Sequence, residues 1–229
     1  MEGWLNINKH KNITSNDIIS ILKKKFNLRK LKIKIGHAGT LDPLATGVLP
    51  IAIGKYTKLI STMMDAKKEY KFIIKFGIQT SSGDLDGKIL NTENVKILFD
   101  DEIITEESLK QVCNNFIGKI IQTPPIYSAI KINGQRAYDL ARRNIEFEMP
   151  SREIEIFSLS LESFSKSECT ACYTVLCSKG TYIRTLAEDI AKKLGTIGVV
   201  IDLVRIRVGD FNQKNAIDVN TVEEHHLIN

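Results

Sequence analysis

The sequence predicts an α+β fold: a mixed, largely antiparallel sheet flanked by helices and loops. Three observations carry this. Strand-like runs outnumber helical ones, and most are joined at hairpin distance rather than by helical crossovers. The composition, 43% apolar and 26% charged, is that of an ordinary globular chain. With 229 residues the chain can bury a real core, and it has no internal repeat, low-complexity run or long linker. We therefore read one domain over 1–229, with 125–150 as an excursion from it.

The elements follow in order. Residues 4–8 alternate like a short strand. Thr14 with Asp17 three residues later is a capping-box start for a helix to about Asn27. Residues 48–53 are continuously apolar and read as a buried strand. Residues 56–64 read as a helix and 67–76 as a strong strand, which Asp86-Gly87 turns back toward Ile89 and Leu90. Thr105, followed by Glu106 and Glu107, opens a helix that Gly118 closes. Thr123-Pro124-Pro125 is a stiff break, and 136–143 suggest a short basic helix. Residues 154–164 and 170–177 look like paired strands, and 181–194 like a helix capped by Gly195. Residues 199–208 form a closing strand, and His225 and His226 belong to a frayed tail.

The formal charge is +5, and its distribution says more than its sum. Residues 9–34 hold nine Lys or Arg and one acid, Asp17; Lys131, Arg136, Arg142 and Arg143 form a second basic group. Acids gather between Glu93 and Glu107. This segregation fits a polyanion-facing side, such as nucleic acid, or a solvated Lys-rich surface. Four cysteines are too few for a disulfide scaffold at this length and point to a reducing cytoplasm. Cys169 and Cys172 are spaced like metal ligands, but 169–177 reads as a strand, where residues three apart face opposite ways. No second Cys pair or nearby His completes a four-ligand set. The N-terminus lacks a signal-peptide pattern, and no apolar run approaches membrane-spanning length. Gly47 through Lys55 does not make a P-loop: six residues separate the glycines and Tyr56 follows the lysine.

The most informative stretch is 36–51, GHAGTLDPLATGVLPI. It places one carboxylate, Asp42, among glycines, small residues and hydrophobes. Pro43 pushes Asp42 out of the helical region, and the glycines permit tight bends. A lone acid on a rigid loop that runs into the core can hold a reactive group, although it also suits an ordinary Asp turn.

Four further segments join this loop. They are KKEYKF at 67–72, DLDG at 84–87, QTPPIYSAIK at 122–131 continuing to Arg142, and CSKGTYIRTL at 177–186, followed by Leu203-Val204-Arg205. In order and spacing they closely resemble the TruB family, the bacterial tRNA pseudouridine synthases acting on the T-loop uridine, and the likeness spans about 4–211. The resemblance implies the pseudouridine-synthase fold. It also implies a cofactor-free isomerisation in which C1′–N1 breaks, the uracil turns, and C1′–C5 forms. Residue by residue, Asp42 matches the essential aspartate and Tyr70 the tyrosine that stacks on the target base. Tyr182 and Arg184 match the active-site Tyr and Arg, and Leu203 the leucine near the uracil. His37 matches the histidine that supports the rearranged T-loop. Asp84 matches an acid of the polar network, and Lys58 a lysine near the RNA.

Elementary chemistry agrees. Detaching uracil builds positive charge at C1′, which a carboxylate can attack or stabilise. Arg184, always charged, can keep Asp42 ionised. A base in an RNA loop must be flipped out and stacked upon, which suits Tyr70 and Leu203, although both also suit a plain core. The excursion at 125–150 corresponds to the family's RNA-gripping insertion; it is basic, with Lys131, Arg136, Arg142 and Arg143, and is read as contacting RNA, although it also suits a solvated hairpin and short helix. Ala38 and Val199 depart from the family's Thr and, in some members, His. About twenty residues follow the last matched strand, too few for the family's C-terminal PUA domain. The expected partner is the T-stem-loop of tRNA. We expect no membrane, no obligate protein partner, no cofactor, no metal and a monomeric state. A tRNA-folding helper and a guide-dependent ribosomal RNA isomerase are the alternatives.

Overall fold

The computed structural model describes residues 1–143 and 145–228; Asn144, within the predicted excursion, and the terminal Asn229 lie outside the described residues. The chain divides into two compact units, Met1–Lys71 with Asp202–Asn229, and Phe72–Ile201.

The first unit opens with β1 (Gly3–Lys9) and α1 (Ser15–Lys25). Thr14 caps α1 as its sequence predicts: its hydroxyl accepts from the Asp17 amide at 3.0 Å, and Asp17 accepts from the Thr14 amide at 2.8 Å. Ile18, Ile19 and Leu22 bury one face. The helix ends at Lys25, two residues early, because Asn27 turns left-handed at φ 52°. β2 (Ile35–His37) and β3 (Thr46–Ile53) follow, and β3 is buried almost throughout, as its apolar run predicts. Only the second half of the helix expected at 56–64 is α-helical, α2 (Ile60–Asp65); Gly54–Leu59 is a 3₁₀ turn. The Thr57 hydroxyl donates to the Gly54 carbonyl at 2.8 Å, and neither piece buries a side chain that would favour a longer α-helix. β4 (Lys68–Phe76) alternates in burial and carries the chain out of this unit.

In the second unit Gly77, at φ 82°, separates β4 from β5 (Ile78–Thr80). β6 (Ile89–Thr92) returns to β5 rather than to the long strand expected at the Asp86-Gly87 turn. A Cβ at Gly77 would lie 2.8 Å from the Glu93 carbonyl, so the hairpin needs a glycine where it leaves β4. α3 (Lys96–Asp100) precedes α4 (Glu106–Gln111), which Thr105 caps as expected. Gly118 does not close that helix. The helix ends at Gln111, a 3₁₀ turn covers Val112–Asn115, and Gly118, at φ 99°, opens β7 (Gly118–Gln122). The β-branched Ile117, Ile120 and Ile121 around it favour strand.

A small hairpin follows, β8 (Lys131–Ile132) and β9 (Gln135–Arg136), then α5 (Ala137–Arg142). β10 (Arg152–Ser165) pairs antiparallel with β11 (Thr170–Cys177) and with β7. Cys169 lies outside the strand assigned to it; it is a left-handed turn residue, φ 46°. α6 (Ile183–Lys193) starts two residues later than expected because Tyr182 is its extended cap residue, and Gly195 follows its end at φ 79°.

β12 (Gly198–Val208) returns the chain to the first unit, where strand order is β14–β1–β3–β12, with β13 (Phe211–Asn212) and β14 (Ile217–Asp218) added. β1 and β3 are antiparallel, with Leu5 opposite Ile51, while β14 lies parallel to β1. β12 is therefore not the last strand, and the tail is not frayed. Trp4 and Ile228 exchange both backbone hydrogen bonds, at 2.7 and 2.8 Å, and Val222 is fully buried. His225 and His226 lie in a 3₁₀ turn, Glu224–His226, inside that docked segment. Among the described residues, no helix is long and apolar enough to cross a membrane.

Candidate active site

Asp42 lies on the loop between β2 and β3, and it is half-buried. The loop is fixed at many points. The Leu41 amide donates to the Ser15 hydroxyl at 2.9 Å, which donates back to the Leu41 carbonyl at 3.1 Å. The Asn12 amide donates to the Pro43 carbonyl at 2.8 Å. Two buried cations hold it further. Arg205 of β12, 1% exposed, donates from Nε to the Val48 carbonyl at 2.8 Å and from Nη2 to the Gly39 carbonyl at 2.9 Å. One guanidinium thus ties the two flanks of the Asp42 loop. Lys9, at the end of β1 and fully buried, donates to the carbonyls of His10, Ile13 and Pro43 at 2.9, 2.7 and 3.2 Å. Burial pushes the Lys9 amine down to about 8, with the Asp42 charge pulling the other way and Arg205 adding to the fall. Gly47 lets β3 and β12 meet here: at φ 99°, a Cβ would sit 2.3 Å from the Arg205 carbonyl oxygen.

The first unit also carries Tyr70 in β4 and Leu203 in β12, both buried, half-buried His37 in β2, and exposed Lys58 in the 3₁₀ turn. Sequence reasoning gave no role to Lys9 or Arg205. In the sequence Lys9 stands only as one of the nine basic residues of 9–34. Arg205 ended the Leu203-Val204-Arg205 segment, but only Leu203 was assigned a task.

The second unit gathers the other expected residues. Arg184, in the first turn of α6, is 4% exposed, so it is no surface helix charge. Its Nη1 donates to the Ser82 carbonyl at 2.6 Å and its Nη2 to the Tyr127 carbonyl at 2.9 Å. The Asp84 carboxylate lies 3.7 Å from Nη1 and is itself buried, accepting from the Ser82 hydroxyl at 2.5 Å and the Asp86 amide at 3.2 Å. Tyr182 is positioned by Gln122, 1% exposed: the Tyr182 amide donates to Gln122 Oε1 at 2.7 Å and Gln122 Nε2 donates to the Tyr182 carbonyl at 3.1 Å. The Arg152 guanidinium lies 5.0 Å from the centre of the Tyr182 ring.

One turn beyond Arg184, Glu188 packs on the same cluster. A Cβ on Gly83 would come within 2.9 Å of Glu188 Oε1 and 3.1 Å of Arg184 Cβ. Burial pushes the Glu188 carboxyl up to about 7; Asp189 adds to the rise, Arg184 opposes it, and Asp84 adds a little more. The signal in the sequence was the i, i+4 spacing of Arg184 and Glu188.

Lys131, Arg136 and Arg142 are exposed on β8, β9 and α5. Arg136 donates to the Ala129 carbonyl at 3.0 Å, and Arg142 lies 5.6 Å from the centre of the Tyr138 ring. The Tyr127 carbonyl on Arg184 ties the start of this excursion to the buried cluster. Among the described residues, no group of three His, Cys, Asp or Glu side chains could hold a metal ion.

Comparison with known proteins gives the family. A family model described as TruB family pseudouridylate synthase (N terminal domain) matches residues 23–183, and one described as tRNA pseudouridylate synthase B C-terminal domain matches 184–229. The chain belongs to the TruB family. A Rickettsia africae (strain ESF-5) protein named tRNA pseudouridine synthase B is 48% identical over 221 residues, covering 96% of this chain and 61% of the relative. One of the same name from Rickettsia akari (strain Hartford) is 47% identical over 221 residues, covering 96% and 72%. The chain thus spans 61% of the length of the first of these. A chain in a solved Cbf5-Nop10-Gar1 complex matches with TM-score 0.70 at 27% identity, covering 95% of this chain and 52% of that one. The family resemblance and the α+β pseudouridine-synthase fold read from the sequence are borne out.

Proposed function

We propose that this chain isomerises the T-loop uridine of tRNA, position 55, to pseudouridine in the cytoplasm, as a monomer, without a cofactor or an obligate protein partner. The observation that carries the proposal is the Asp42 loop, a half-buried acid on a backbone held from both flanks by Arg205 and from beneath by Lys9. The Lys9 charge, which interacts with Asp42, favours the ionised carboxylate that the chemistry needs. Asp42 then attacks C1′, or stabilises the positive charge that develops there, as the C1′–N1 electron pair leaves with the uracil. The uracil turns, C5 bonds to C1′, the bond to the carboxylate (where one formed) breaks, and the C5 proton is lost while N1 gains one.

The target base has to leave its stack before this can happen. Tyr70 supplies an aromatic face for it and Leu203 an aliphatic floor. His37 supports the opened loop, and Lys58 faces the RNA. Arg184, held in one rotamer by two carbonyls and Asp84, presents a preorganised charge, with Tyr182 fixed beside it in the chain by Gln122. Lys131, Arg136 and Arg142 meet phosphates.

The test is incubation with an unmodified T-stem-loop, followed by mapping of pseudouridine. Asp42→Asn keeps the shape and removes the charge. It should abolish product while leaving RNA binding nearly intact. Product at more than a few percent of the parent rate would remove Asp42 from the reaction.

A further inference from the structure

The cations at the far end of α1 take no part in the proposed isomerisation. The first residue of α1, Ser15, is bonded to the Asp42 loop through Leu41. The helix runs away from that loop and stops at Lys25 in a specific way. The Leu28 amide donates to the Lys23 carbonyl at 3.0 Å and the Asn27 amide to the Lys24 carbonyl at 3.3 Å, with Asn27 left-handed. This is a Schellman motif with asparagine in place of glycine. Leu28, fully buried, anchors it. The reversal brings Arg29 and Lys30 back beside Lys23 and Lys24. Together with Ser20 and Asn27, these four line a hollow of about 430 Å³ that contains no acid.

A basic last turn ordinarily complements the helix dipole. That explanation is weak here. The Lys23 and Lys24 carbonyls are already satisfied by backbone amides, and Arg29 and Lys30 lie beyond the helix. Lys25, by contrast, donates to the Asn220 carbonyl and is not in the lining. Among the described residues, none of the four lining cations forms an ion pair, and all but half-buried Lys23 are exposed. Four uncompensated charges around one concavity repel one another unless an anion joins them.

We propose that this hollow is a phosphate-binding site for RNA, gripping the backbone of the same molecule whose reacting nucleotide lies at Asp42. It rests on the proposed tRNA substrate. The geometry supplies the reach: eight or nine residues of α-helix separate Ser15 from Lys23 and Lys24, about 12–14 Å at 1.5 Å per residue. That is a span of a few nucleotides of RNA backbone. Ser20 and Asn27 add neutral hydrogen-bonding groups suited to phosphate oxygens.

The experiment measures affinity for an unmodified tRNA transcript against salt concentration. Parent protein is compared with Lys23→Gln/Lys24→Gln, with Arg29→Gln/Lys30→Gln, and with the fourfold variant. Each phosphate contact contributes about 0.7–0.9 to the log–log slope. Each pair should therefore flatten the slope by about 1.5 and the fourfold variant by about 3. Lys192→Gln/Lys193→Gln, at the last turn of α6, is the control and should leave it unchanged. Coincident slopes in parent and both pairs, or equal flattening in the control, would overturn the proposal. Pseudouridine mapping on the same samples separates the two readings. Product with unchanged slopes sinks the hollow alone, and flattened slopes without product sink the proposed isomerisation alone.

Discussion

Replacing Glu188 by glutamine should stabilise this protein at alkaline pH and do little in acid. The carboxyl packs on Gly83, with Arg184 and Asp189 on its own helix and Asp84 on the facing loop. Burial and the two like charges outweigh the single guanidinium, and the group titrates near 7 instead of its ordinary 4.5. The sign follows from linkage. Between pH 4.5 and 7 the native state holds a proton that the unfolded chain has released. Stability therefore falls as pH rises through that window and is level above it. At about 1.36 kcal/mol per unit the loss is at most roughly 3 kcal/mol, and solvent screening of this half-buried carboxyl reduces it to roughly 1–2 kcal/mol. Glutamine stays neutral throughout and keeps the side-chain shape. The variant should match the parent near pH 4.5 and exceed it by roughly 1–2 kcal/mol at pH 8. With an m-value of about 2 kcal/mol/M, that moves a urea midpoint by about 0.5–1 M. Urea titrations of both proteins at pH 5, 6, 7 and 8 decide the matter. A stability difference that is constant across this range reports altered packing alone. It would refute the assignment of a protonated Glu188.

The other expectations concern the acid loop and the base. Arg205→Lys keeps a charge but cannot bridge the Gly39 and Val48 carbonyls, so it should lower stability by about 1.5–3 kcal/mol, the worth of one charged hydrogen bond, read by urea denaturation. An unchanged midpoint would mean the clamp contributes nothing. Tyr70→Ala should weaken RNA binding by about 1–3 kcal/mol and cripple turnover, because it removes the stacking face. Tyr70→Phe keeps that face, so near-parent single-turnover rates would limit Tyr70 to stacking, whereas a severe loss would implicate its hydroxyl in moving the C5 proton.

Local signals in the sequence were good guides where one short segment decides the outcome. The Thr14–Asp17 pair names the start of α1, the apolar run names β3, and β10 and β11 follow from their alternation. Asn133-Gly134 carries a hairpin signal that sequence reasoning did not use. Both residues have positive φ, 48° and 84°, and make the two-residue turn between β8 and β9 that Asn-Gly favours. Errors fell where weak local preference met competing geometry. Gly118 suits a helix end and a strand corner alike, and the isoleucines around it favoured the strand. The docking of the tail at Trp4 depends on partners over 200 residues apart, which no window of sequence reveals. The candidate site divides in the same way. The motif segments point to Asp42, Arg184 and Tyr182 as candidates, but the Arg205 clamp joins residues 157 and 166 apart in sequence. A buried arginine leaves no periodic mark, and its meaning appears only when the carbonyls it serves are known.

The choice of cations around Asp42 has a consequence for the pH range of the loop. Arg205 spends its two shown hydrogen bonds on main-chain carbonyls. A carbonyl orients a guanidinium without cancelling its charge. Lys9 is bonded in the same manner, to three carbonyls, but burial lowers its proton affinity to about 8. Its charge therefore fades in mild alkali, while that of Arg205 persists at any pH a folded protein meets. The two cations are not interchangeable supports. Lys9 contributes a charge that pH can withdraw, and Arg205 contributes the permanent charge and the link between the loop's two flanks. A loop held by lysines alone would lose its field and part of its main-chain anchoring together, because an amine that releases its proton keeps only two of its three N–H donors. With Arg205 in place, the geometry around Asp42 outlasts the deprotonation of Lys9.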